Sequence, residues 1–159
     1  MKTFIIESSV ILALLFTVYR GIFLVLGNKI EATKREAAFY IHAGACGLPF
    51  AIASWTILPH LTVALNFFAK GESWGSLIQF GGGYLLLIVT TGFLSLVLSY
   101  TLFKIITKEK SIWELISANN PSISFLMTGV IITSGIMLSI LSGEIAKAMI
   151  PFASVPFNF

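Results

Sequence analysis

Four apolar stretches, residues 4–26, 37–67, 76–106 and 121–150, occupy most of this chain and leave little else from which to build a fold. A helix needs roughly 20 mainly apolar residues to cross the hydrocarbon core of a bilayer. Lipid offers no partner to a bare peptide group, so each stretch has to satisfy its backbone internally as a helix. The last three exceed the minimum and are expected to tilt, bend or project beyond the lipid. The composition agrees: 57% of the residues are hydrophobic and 11% charged, against roughly 25% charged in a soluble domain. A soluble fold this apolar would expose large patches that soluble monomers avoid.

The expected fold is therefore all-α: an integral membrane four-helix bundle built from two tandem helical hairpins. Residues 1–70 form the first, with helices at about 4–26 and 34–68. Residues 71–159 form the second, with helices at about 76–106 and 121–149, a short amphipathic turn at 112–118 and an aromatic tail. Glu7 interrupts the first apolar run and no small-residue cleavage site precedes Arg20, so the N-terminus reads as a retained span, not a signal peptide.

Local signals mark the ends. Gly27-Asn28 suits a helix C-terminus. Thr33 with Glu36, and Ser111 with Glu114, have the spacing of capping boxes, and Ser73 can cap the third helix. Asn120-Pro121 reads as an N-cap followed by proline at the first helical position. The turn after Ser111 is expected at the lipid surface.

Positive charges set orientation, because Lys and Arg are retained on the cytoplasmic side. Arg20, Lys29, Lys34, Arg35, Lys104, Lys108 and Lys110 fall on one side; Lys2, Lys70 and Lys147 fall on the other. Both termini are then periplasmic and the two longer links cytoplasmic. The charges form no dense run, which argues against nucleic acid as a partner.

Small residues recur at helical spacing. Ala43, Gly47 and Ala51 share one face, as do Thr91, Ser95 and Ser99, while Thr128, Gly135 and Ser139 belong to a longer stripe in the last span. Lipid supplies no hydrophobic drive between helices, so close backbone approach and inter-helix hydrogen bonds must supply association. These residues either pack one bundle together or form a face for an oligomer partner. Each half of the chain follows the same plan, a span, a charged link and a small-residue span, which reads as a weak parallel duplication.

Other residues invite chemistry and offer little of it. Glu7, His60 and Glu144 should lie near one outer level, either as a polar cluster or as separate interfacial side chains with Glu144 paired to Lys147. His42 and Cys46, four apart, share a helix face, but two ligands do not make a zinc site. No metal or cofactor is expected. No nucleophile elbow, phosphate loop or dinucleotide fingerprint is present, so no catalytic residue is assigned and an enzyme is not expected. Pro49, Pro59 and the run Gly81-Gly82-Gly83 mark places where a span could bend or be closely approached.

The stretch Trp113-Glu114-Leu115-Ile116, with Asn119-Asn120-Pro121-Ser122 and Met127-Thr128-Gly129-Val130-Ile131-Ile132, resembles the second half of the YjfL-like bacterial inner-membrane proteins. That family is a domain of unknown function with a duplicated two-helix membrane unit. The resemblance implies a bacterial inner-membrane protein and carries no catalytic residues. Lys34-Arg35-Glu36 stands where the first half of such a protein would have an Asn-containing turn. The functional expectation is an oligomeric structural or scaffolding subunit, partnered by the lipid bilayer and by copies of itself or other membrane subunits. The alternative is a small oligomeric channel or transporter with a Ser/Thr-lined path.

Overall fold

The computed structural model describes residues 17–25, 27–28, 36–68, 74–107 and 112–150. Those residues are all-α. Helix α1 covers residues 17–25; α2 is Ala37–Phe68, α3 Trp74–Thr107, α4 Ile112–Ser117 and α5 Pro121–Ala148. Among the described residues, three helical segments are long and apolar enough to cross a membrane: Ala37–Asn66, Gly81–Thr107 and Pro121–Ala148. Their outward side chains are large and apolar, among them Trp55, Leu86, Val97, Phe125 and Ile140. This is the surface of a multi-pass membrane protein.

The helix ends follow from local chemistry. Asn119 has a left-handed φ of 49°, a conformation open to Asn because its short polar side chain bonds locally. Its N–H reaches the Ile116 carbonyl at 3.0 Å and the Asn120 N–H reaches that of Leu115 at 3.4 Å, the bond pair of a Schellman motif that closes α4. Asn120 is extended, and its side chain accepts from the Ile123 N–H at 3.4 Å. It thus caps α5, with Pro121 at the first position, where the missing N–H costs nothing. Residues 27–28 are helical, and the residues after Asn28 that would show whether the helix ends there lie outside the described residues. Thr33, Ser73 and Ser111 lie outside the described residues.

Contacts give the topology. Ala38 meets Ser124, Pro49 meets Gly135, and Thr56 meets Gly143. Residue numbers rise together along the pair, so α2 and α5 run parallel. Against α3 the numbers run oppositely: His42 meets Tyr100, Phe50 meets Phe93, and Tyr84 donates its hydroxyl to the Ala146 carbonyl at 3.0 Å. Helix α2 makes its most extensive contact with α5, so helices far apart in sequence share one core.

That core has two levels. Phe39, Phe50, Phe103, Met127 and Ile131 fill one, and Ile57, Tyr84, Ile88 and Ala146 the other. Glycine permits the close approaches. A Cβ on Gly92 would run into the buried Phe50 ring, and one on Gly135 would sit 3.4 Å from the Pro49 Cα. Pro49 and Pro59 both lie within α2; the first faces this seam and the second is exposed. Within the glycine run, Gly83 faces the Met149 side chain, while a Cβ on Gly81 or Gly82 would meet nothing.

Helix α4 packs onto the bundle through one side: Ile112 and Ile116 are buried in the same cluster as Phe39 and Phe103. The gap at the ends of α2, α3 and α5 offers those isoleucines closer packing.

Candidate functional site

The first-described end of α2 carries the most chemically distinctive cluster. His42 and Cys46 sit one turn apart on α2, Tyr100 comes from the last third of α3, and Trp113 comes from α4. The His42 Nε2 lies 2.7 Å from the Tyr100 hydroxyl. The Cys46 Sγ is 3.7 Å from both. The Trp113 ring stacks on Tyr100, centroids 6.1 Å apart and 29° between planes, and stands edge-on to His42 at 87°. Three helices therefore hold the Tyr100 ring and hydroxyl in place.

His42 is 1% exposed, and its Nδ1 has no hydrogen-bond partner among the described residues. Neutral imidazole carries one donor and one acceptor. A buried orphan N–H is rarer than an under-used acceptor, so the proton belongs on Nε2. That N–H then donates to the Tyr100 oxygen and leaves the phenol O–H free to donate in turn. Hydrogen bonds in such a chain strengthen one another.

Beside the cluster lies a cavity of about 720 Å³, lined by Thr17, Val18, Gly21, Ile22, Val25, Phe93 and Leu96 together with Cys46, Tyr100 and Trp113. It lies between α1 and α3. Val25 and Phe93 are exposed on the outside of the bundle, so the opening faces the apolar exterior.

The stripes of small residues are found mostly in the helix seams. Ala43, Thr91, Ser95, Ser99, Gly135 and Ser139 are buried, and Gly47 and Thr128 half-buried; Ala51 is exposed and lies off the seam. Their hydroxyls turn back onto their own helices. Thr91 donates to the Leu87 carbonyl at 2.7 Å, Ser95 to Thr91 at 2.7 Å, and Ser99 to Ser95 at 2.6 Å. Thr128 does the same to Ser124 at 2.7 Å and Ser139 to Ile136 at 2.9 Å. Thr91 also bonds across helices: it has already donated its proton, so Ser142 donates to Thr91 Oγ1 at 2.6 Å.

Of the outer polar residues, Glu144 is exposed and paired with Lys147 at 2.5 Å, and His60 is half-buried. Glu7 lies outside the described residues. Among the described residues no three His, Cys or acidic side chains gather where a metal ion could be held.

Sequence reasoning placed His42 beside Cys46 but missed Tyr100 and Trp113. Both are aromatic residues in apolar surroundings, and nothing local distinguishes them from other membrane aromatics. Comparison with known proteins returns no match to any family model, curated protein or solved structure.

Proposed function

We propose that this chain is a structural subunit of a bacterial inner-membrane assembly, self-associating or bound to other membrane subunits, with no catalytic role. The observation that carries this reading is the state of the seams: Thr91, Ser95, Ser99, Thr128 and Ser139 bond their own helices, and Ser124 and Ser142 bond across to neighbouring helices, between closely packed small residues. These hydroxyls are buried between packed helices, which favours the reading as a scaffold over a Ser/Thr-lined path.

The exterior is available for partners. Gly44 and Ala51 are exposed on α2; seven residues apart, they share a face. They offer close approach to a second helix between the larger Tyr40 and Trp55. With the seven-positive side facing the cytoplasm, the links would also favour anionic headgroups. The Trp113-to-Ile132 motifs support placing the chain with the YjfL-like proteins.

The test is purification in mild detergent with mass determination and identification of co-purifying proteins. An oligomer or a stable companion is expected, and Ala51→Trp is expected to reduce it to the bare chain. A wild-type monomer without companions defeats the proposal. A selective conductance in liposomes that Ser139→Leu abolishes would establish the channel instead.

A further inference from the structure

We propose that the cavity between α1 and α3 is a binding site for a lipid-soluble molecule with an apolar body and a carbonyl head, the head accepting a hydrogen bond from the Tyr100 hydroxyl. This goes beyond the structural role above and does not depend on it.

The volume comes first. A cavity of about 720 Å³ falls within the roughly 300–1,000 Å³ typical of small-molecule sites. Gly21 enlarges it: the residue lines the cavity, and a Cβ there would meet nothing within 4 Å. In a bilayer an open apolar space is filled by something apolar.

Tyr100 and Cys46 decide what kind of molecule fits. A plain acyl chain would bury Tyr100 and Cys46 against hydrocarbon and leave the phenol proton with only the Cys46 sulfur at 3.7 Å, a weak acceptor. His42 already donates to the phenol oxygen on the tautomer argued above, so the phenol needs an acceptor, not another donor. A carbonyl oxygen supplies that acceptor. It is the head of two membrane-soluble classes, prenyl-type quinones and acyl esters. Trp113, packed flat on Tyr100, forms a broad wall beside the head. The exposed rim at Val25 and Phe93 allows entry sideways from lipid.

The site contains its own reporter. Trp113 lines the cavity, while Trp55 is 84% exposed on α2. In a Trp55→Phe/Trp74→Phe background, the full chain in nanodiscs is titrated with a decyl-substituted benzoquinone, then with monoolein as competitor. Saturable quenching of Trp113 is expected. Relief by monoolein identifies the acyl-ester class, and resistance to it identifies the quinone class. Tyr100→Phe should weaken binding at least tenfold. Gly21→Leu, whose Cβ meets nothing within 4 Å, should abolish saturation even if Tyr100→Phe fails to fold. Leu24→Ala, exposed and outside the lining, should leave it unchanged. Quenching that rises linearly with probe in the membrane and is the same in Gly21→Leu overturns the site. Equal competition by decane overturns the carbonyl head.

Discussion

Ser124 donates its hydroxyl proton to the Ala38 carbonyl at 3.0 Å, joining the first turn of α5 to the first turn of α2 across 86 positions of sequence. A second bond lies beside it: the Ala38 N–H donates to Asn119 Oδ1 at 3.2 Å. Helix N-termini leave N–H groups without intrahelical partners, and here the turn before α5 serves one of those belonging to α2. The two parallel helices are thus fixed in register at their starts.

Removing either bond should loosen that register. Asn119→Gly retains the left-handed turn but lacks the accepting oxygen, and Ser124→Ala lacks the donor. Each is expected to destabilise the protein by about 1 kcal/mol, the typical worth of a cap or an inter-helix bond in a membrane. Equilibrium unfolding in mixed micelles measures it. Wild-type stability in both variants would show that the register is set by packing alone.

Glycines in the spans should divide by position. Gly92→Ala drives a methyl into the buried Phe50 ring and is expected to cost about 1–3 kcal/mol, as overpacking does. Gly129→Ala meets open space and should be neutral or gain up to roughly 1 kcal/mol from helix propensity. The same unfolding assay compares them, and an opposite order would contradict the α2–α3 approach described above.

The seam hydroxyls predict small effects. Among the described residues, Ser95 and Ser99 bond carbonyls of their own helix, so Ser95→Ala and Ser99→Ala should each shift stability by less than about 1 kcal/mol. Thr91→Val should cost more, because Ser142 loses its acceptor and a buried hydroxyl is left unpaired. The difference between Thr91→Val and the serine variants is the quantity to measure.

Cys46 is buried at 2% exposure and is the only cysteine of the chain. A bulky, membrane-impermeant maleimide should leave it unmodified in the folded protein and label it fully after denaturation in SDS. Rapid labelling of the native protein by that reagent would mean that the cluster around Tyr100 is wet and open.

Span positions were legible from hydropathy. Asn120-Pro121 announced the start of α5 because an N-cap operates within three residues. Asn119 was not legible in the same way: its bond to Ala38 spans 81 positions, and no local pattern encodes it. The amphipathic turn before it was recognisable, yet its docking depended on a gap that exists only once α2, α3 and α5 have assembled.

By itself, the sequence determined that this chain crosses a membrane as helices, because hydropathy and peptide-group satisfaction act along a single segment. Tertiary structure alone decided which faces meet, that α2 packs most extensively on α5, and that His42, Tyr100 and Trp113 converge beside a cavity. The physical reason is that these spans are apolar on nearly every side. A helix without a polar face carries no mark of which side meets protein and which meets lipid. That choice falls to shape: glycines beneath aromatic rings and hydroxyls between small residues.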